Sequence, residues 1–212
     1  MWEDEGQHLQ SVYPPGIAYG GPGKFGLEPE AHLTDTSDLI TTGNRLRLFA
    51  EWKRYWDLEK PVLLEKSPPN LIRMRFLQKL FPDSFFIVVT RHPIAVSYAT
   101  QKWNPSLPEL IEHWLVCHEK FEQDRQHIRR LLVLRYEDFV EEPQAVLDDI
   151  YSFIGLPRHP NRVEVRSGVN KKYLEKWRMC QNDASSAACI EATRIRLQYE
   201  RRVATFGYSL DG

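Results

Sequence analysis

Arg91 is the residue with the plainest chemical potential in this chain. It follows Phe85-Phe86-Ile87-Val88-Val89-Thr90 and precedes His92-Pro93-Ile94-Ala95-Val96-Ser97. The run before it is rich in aromatic and β-branched residues without polar alternation, which reads as a strand buried on both faces of a parallel sheet. Pro93 suits the first turn of a following helix, where its missing N–H costs nothing, so Arg91 is expected beside free amides at a helix N-terminus. A permanent cation next to such amides, at the carboxyl end of a strand, is suited to a phosphate or sulfate. The competing reading is a solvated or salt-bridged arginine in a strand-to-helix loop.

The elements that must position it alternate between helix and strand. Phe49, Trp52 and Trp56 form a helical stripe within Arg45 to Glu59, and Pro61-Val62-Leu63-Leu64 reads as a short buried strand. Asn70 is placed to cap a helix through about Leu80, so residues 61–90 are expected to form a βαβ unit with a right-handed crossover. Ser106 and Glu109 have the spacing of a capping box, and Leu110, Trp114, His118, Phe121 and Ile128 continue one face of a helix to about Arg130. Leu131-Leu132-Val133-Leu134 is a second buried strand; Pro143 opens a helix that Gly155 closes, and a last amphipathic helix includes Ile195 to Val203. Residues 1–43, with Pro14-Pro15-Gly16 and Gly20-Gly21-Pro22-Gly23-Lys24, are loop-rich and lack a core of their own. The whole, residues 1–212, is expected to form one α/β domain, irregular over 1–43 and regular over 44–212.

Composition narrows the function. A formal net charge of −1 gives no electrostatic case for nucleic acid, so any anion site must be local. Cys117, Cys180 and Cys189 form no CxxC and cannot all pair, which indicates neither a disulfide framework nor a metal centre and suits a reducing, cytoplasmic compartment. No stretch is long and apolar enough for a membrane span, although an anchor upstream of Met1 is compatible with this reading.

Four segments in order carry a resemblance. They are Glu65-Lys66-Ser67-Pro68, then Thr90-Arg91-His92-Pro93 through Tyr98, then Leu134-Arg135-Tyr136-Glu137-Asp138 through Pro143, and Phe153-Ile154-Gly155-Leu156-Pro157. Together they resemble the sulfotransferases, which move a sulfuryl group from 3′-phosphoadenosine 5′-phosphosulfate (PAPS) to a hydroxyl. The resemblance spans roughly residues 60–180 and implies a P-loop-kinase-like three-layer α/β fold with a central parallel sheet. It also implies that PAPS is the co-substrate, that no metal is needed, and that the acceptor is a carbohydrate or other small molecule.

Residue by residue, Arg91 matches the arginine that grips the nucleotide 3′-phosphate, a task for which a charged planar fork is suited. The family's accompanying serine falls at Ala99 here; Ser97 is the alternative, with Thr100 beside it, and a hydroxyl bonded to its own helix is the competing role. Tyr136 matches a tyrosine near the adenine, with Glu137 and Asp138 holding the loop and capping amides. Arg166 and Lys171 resemble the late loop closing over the 3′-phosphate, and Trp177 reads as packing. Lys66 matches a lysine that neutralises charge on the transferring group. Cytosolic members place a histidine base two residues later, where this chain has Pro68, so Glu5 is the candidate base, with Glu3 and His8 as rivals.

The largest departure is at the front. Sulfotransferases open with a strand and a Gly-rich, Ser/Thr-containing loop that cradles the 5′-phosphosulfate, and Met1 is expected to fall after it. Gly20-Gly21-Pro22-Gly23-Lys24 follows no strand and has proline where an amide donor is wanted, so it reads as a surface loop. First strand and P-loop are thus expected to be absent, through truncation, an alternative start, or a protein that does without them. Three functions compete: a sulfotransferase; a catalytically impaired remnant that binds nucleotide or a partner; and a nucleotide kinase, disfavoured by the missing Walker loop and Mg²⁺ ligands. Oligomeric state is not encoded legibly.

Overall fold

The computed structural model describes residues 5–158, 160, 163–181 and 186–211. The chain forms two compact units, one made of residues 1–84 and 116–130, the other of 85–115 and 131–212.

In the first unit the loop-rich start is a succession of short 3₁₀ turns. Gly20, Gly21 and Gly23 all have positive φ, a backbone region that glycine enters without a Cβ penalty, so this stretch coils tightly. It is nonetheless anchored: Phe25 and Ala31 pack with Ile72 and Cys117 in one buried cluster. Helix α1, Thr42–Trp52, is capped by the Thr41 hydroxyl accepting from the Asn44 amide and buries Leu48 and Trp52. It ends before the stripe does, yet Trp56 still packs near Phe49 and Trp52, with ring centroids 6.2 and 5.6 Å away, and donates its indole N–H to the Leu64 carbonyl at 2.8 Å.

Pro61 to Leu64 is not a strand. No strand among the described residues pairs with it, and Val62, Leu63 and Leu64 are exposed. The expected βαβ unit over 61–90 therefore does not form there. Asn70 caps no helix either: it lies inside a 3₁₀ turn, its Nδ2 donates to the Glu65 carboxylate, and its Oδ1, the atom a cap would use, is buried without a partner among the described residues. Pro68–Ile72 is instead a 3₁₀ turn, as two successive prolines favour, and α2 runs Met74–Leu80 with Met74, Phe76, Leu77 and Leu80 buried. Arg73 between them is fully buried, its Nε donating to the Ala31 carbonyl and its guanidinium facing the Tyr13 and Tyr19 rings at 5.1 and 5.9 Å.

The second unit carries the sheet. Strand β1, Phe86–Thr90, and strand β2, Leu131–Arg135, pair in parallel with Phe86 opposite Leu131 and Thr90 opposite Arg135. β1 departs from the expected double burial: Val88 is buried, but Ile87 and Val89 on the other face are exposed. Its alternating pleat is covered on one side only, so the uniformly apolar sequence does not match a double-sided environment.

Helix α3, Pro93–Thr100, follows β1 directly, and α4 spans Leu107–Asp124, its later part belonging to the first unit. The Glu109 amide donates to Ser106 Oγ at 3.4 Å, as the capping box predicts, while the Glu109 carboxylate accepts from Asn104 and the Ser106 amide donates to Asn104 Oδ1 at 3.1 Å. Ile128 lies beyond the helix, which has already given way to a 3₁₀ turn at Arg125–His127. After β2 come α5, Tyr136–Glu141, and α6, Pro143–Ile154, the latter ended by Gly155 at φ 73°. Helices α7, Lys171–Gln181, and α8, Ala187–Ala204, pack on α3 and α4 through Ile94, Ile111, Trp114, Leu115, Trp177 and Ile195. Trp177 is a core residue whose indole donates to the Leu210 carbonyl at 2.8 Å.

Candidate functional site

Thr90 ends β1 and Pro93 begins α3, so Arg91 stands at the carboxyl end of the strand, as its sequence context indicates. Its carbonyl accepts from Trp114 Nε1 at 3.1 Å, which pins the backbone. Its guanidinium lies over the Tyr136 ring at 4.4 Å, a cation–π contact that brings together two residues 45 positions apart. Arg91 Nε donates to Asn170 Oδ1 at 2.8 Å. Its Nη2 is buried and bonded to nothing among the described residues.

Glu137 organises the surroundings. Its carboxylate accepts from the His92 amide at 3.0 Å, from Asn170 Nδ2 at 2.6 Å and from the Tyr208 hydroxyl at 3.1 Å. Burial pushes the Tyr208 hydroxyl up to about 12, so it remains a donor. Asn170 is thus fixed at both ends of its amide, between Arg91 and Glu137. The expectation that Glu137 holds the loop and caps an amide is met, and two amides at the start of α3 are already used: the His92 amide by Glu137, and the Ile94 amide by His92 Nδ1.

Ser97 and Thr100 separate cleanly. Thr100 Oγ1 donates back to the Val96 carbonyl at 2.8 Å, the helix-bonding role considered for either hydroxyl. Ser97 does not: it is buried and its Oγ has no partner among the described residues. The late loop supplies Asn170 rather than its cations. Arg166 is exposed, and Lys171 is exposed and reaches Glu175 at 3.8 Å. Tyr136, Glu137, Val140 and residues 168–171 enclose a cavity of about 160 Å³, whose wall includes Lys171. In the sequence Asn170 is silent, since an amide between basic neighbours gives no chemical signal until its partners are known.

His92 carries a pH dependence. Its Nδ1 accepts from the Ile94 amide and its Nε2 faces the Ser209 carbonyl at 3.1 Å, an arrangement that requires the neutral ring protonated on Nε2. Burial lowers its pKa below 6.5, with Glu137 opposing. A depressed histidine contributes stability that is present above the unfolded value and lost as pH falls through 6.5 toward the folded value. Melting temperature is therefore expected to fall between pH 7 and pH 5, and the fall to be reduced in His92→Asn; an identical slope in the variant would contradict this assignment.

The first unit holds the other candidates. Glu5 and Lys66 are ion-paired, Lys66 Nζ to Glu5 Oε1 at 3.2 Å, with Gln7 donating to the other carboxylate oxygen. Lys66 is largely exposed, Glu5 less so. The pair is set by the packing of the segment that carries Glu5: Trp52 Nε1 donates to the Gly6 carbonyl at 2.9 Å, and the Gln7 amide donates to Ser67 Oγ at 3.2 Å. Gly6 leaves no space for a side chain, since a Cβ there would come within 2.8 Å of Trp52 Nε1. Glu65, beside them, accepts from Ser67 and Asn70, and burial raises its pKa. His8 is exposed and joined to Glu5 only by a backbone bond among the described contacts. Glu3 lies outside the described residues. Among the described residues no cluster of His, Cys, Asp and Glu could hold a metal ion.

Fold and site define a mixed helix and strand protein with a small parallel sheet and an arginine poised at a strand end. Residues 22–160 match the sulfotransferase family, and the chain belongs to it. The chain is also similar to the omega-hydroxy-beta-dihydromenaquinone-9 sulfotransferase Stf3 of Mycobacterium bovis and to that of Mycobacterium tuberculosis, 25% identical to each over 131 residues. Each match covers 50% of this chain and 34% of the relative, so the chain corresponds to about a third of the length of these proteins. No solved structure matches.

Proposed function

We propose that this chain takes part in sulfuryl transfer from PAPS to a hydroxyl acceptor, and that its second unit binds the nucleotide through the 3′-phosphate. One observation carries the reading: Arg91 Nη2, just after β1, and Ser97 Oγ, in the second turn of the helix that follows, are both buried and both without partners among the described residues. Buried donors are rarely left unbonded, and a phosphate satisfies both with charge-assisted bonds. Tyr136 holds the guanidinium plane and stands near the adenine; Arg166 and Lys171 close over the same phosphate. Their exposure supports a contact made on binding.

In this reading Lys66 neutralises charge on the transferring group, and Glu5 takes the acceptor's proton as the new oxygen–sulfur bond forms and the nucleotide leaves. Their direct pairing supports joint action on one reaction. His8 is a lesser candidate for the base. We take the whole chain as a single sulfotransferase-like domain of three-layer, P-loop-kinase-like type. The acceptor is a carbohydrate or small molecule; that the relatives' name specifies an omega-hydroxy compound supports a hydroxyl as the accepting group.

Thermal stabilisation tests the nucleotide assignment. Adenosine 3′,5′-bisphosphate is expected to raise the melting temperature well above the effect of adenosine 5′-phosphate, because a ligand at 100 times its Kd stabilises by about 2.7 kcal/mol. Equal shifts with the two nucleotides would contradict recognition of the 3′-phosphate.

A further inference from the structure

Helix α8 has two contrasting faces. Cys189, Ala192, Ile195, Tyr199 and Val203 are buried, the stripe of a 3.6-residue period laid on a core. On the opposite side Ile190, Arg194, Leu197 and Arg201 form a second stripe, with Ala187 and Ala204 at its ends, all exposed. Ile190 is 63% exposed and Leu197 79%. Two large aliphatic side chains so open, at one helical face and alternating with arginines, are not the usual solvated face of a surface helix.

The cations of this stripe are available. Arg196 and Arg202 are turned to Asp211 and Glu112, whereas Arg194 and Arg201 have no acidic partner among the described residues. Glu191 and Glu200 sit beside the stripe rather than on it, and Glu200 is occupied by Ser209 Oγ at 2.9 Å and the Leu210 amide at 2.6 Å. Charge is segregated on the larger scale too. Residues 171–204 contain eight Lys and Arg against four Asp and Glu, a local excess of +4 in a chain whose total is −1.

We propose that α8 docks this protein on an anionic phospholipid surface. Arg194 and Arg201 meet headgroup phosphates, while Ile190 and Leu197 enter the boundary with the acyl chains. The contact is peripheral, since no helix among the described residues is long and apolar enough to cross a membrane. A nucleic acid would engage the arginines but has no use for the two aliphatic side chains between them, which is why lipid is the occupant the stripe favours.

Flotation of the 212-residue chain with vesicles provides the test. Binding is expected to phosphatidylcholine vesicles containing about one third phosphatidylglycerol, not to phosphatidylcholine alone, and to weaken at high salt. Arg194→Gln with Arg201→Gln is expected to lower partitioning roughly tenfold or more, and Ile190→Ser with Leu197→Ser to lower it comparably, the melting temperature staying within a few degrees for both. No flotation, equal flotation with neutral vesicles, or indifference to both pairs of substitutions would overturn the proposal. So would concentration-dependent self-association that Ile190→Ser with Leu197→Ser abolishes without vesicle binding, which would assign the stripe to a second copy. Binding to an oligonucleotide that survives the aliphatic substitutions, with none to vesicles, would likewise overturn it.

Discussion

Arg91→Ala is expected to weaken adenosine 3′,5′-bisphosphate binding by about 2–4 kcal/mol, the scale for removing one partner of a charge-assisted, desolvated contact. In affinity this is roughly 30- to 900-fold. The substitution is well suited to the question because the contact that fixes this backbone, from Trp114 Nε1, is made to the Arg91 carbonyl and survives in alanine. What disappears is the cation over Tyr136, the bond to Asn170 and the buried Nη2. Arg91→Lys separates charge from shape: it keeps the cation but loses the planar fork, so an affinity between those of wild type and alanine is expected. Titration calorimetry on the three proteins reads the effect directly. Affinity unchanged in Arg91→Ala would remove the main support for the nucleotide site.

The second large effect concerns the base. Loss of a positioned general base costs about 10²–10⁴ in rate. In a form of the protein that turns over PAPS, Glu5→Gln is expected to lower turnover by that order while nucleotide affinity changes little. Glutamine keeps the size of the side chain and an oxygen that can accept from Lys66 or Gln7, so the local packing at Gly6 and Trp52 is undisturbed. His8→Ala provides the internal comparison, because His8 occupies the same short segment yet is exposed. Full turnover in Glu5→Gln with loss in His8→Ala would move the role to His8. Activity in both would show that the described part of this segment does not supply the base.

How much of this was legible in the sequence depends on how local each signal is. β1, β2 and the α6 helix with its glycine stop are written in contiguous residues and appear where expected. Pro61 to Leu64 has the same apolar character as β1, but a strand is a pairing, and no partner strand lies among the described residues. Asn70 has a good capping residue type, but two prolines before it make a 3₁₀ turn that encloses it, and the helix begins only at Met74. The exposed Ile87 and Val89 make the same point for burial: an apolar run permits two covered faces without requiring them.

The site divides the same way. Arg91 is conspicuous because a cation ends an apolar strand, whereas Tyr136 stands out only through the family resemblance. The structure supplies what brings them together: Thr90 pairs with Arg135, and Arg91 and Tyr136 follow them directly. The roles of Asn170 and Glu137 depend on contacts spanning 79 and 33 residues, which no spacing rule supplies. Glu5 and Lys66 were each visible as charges, but their pairing depends on packing of the chain start against Trp52 and Ser67.

The most direct test of the central claim is a binding cycle that varies the ligand and the protein together. Affinities of adenosine 3′,5′-bisphosphate and adenosine 5′-phosphate are measured for wild type and for Arg91→Ala. If Arg91 reads the 3′-phosphate, removing that phosphate costs wild type roughly 30-fold or more and costs Arg91→Ala little, leaving a coupling of about 2 kcal/mol. A 3′-phosphate whose removal costs both proteins the same, however tightly either binds, would contradict the account.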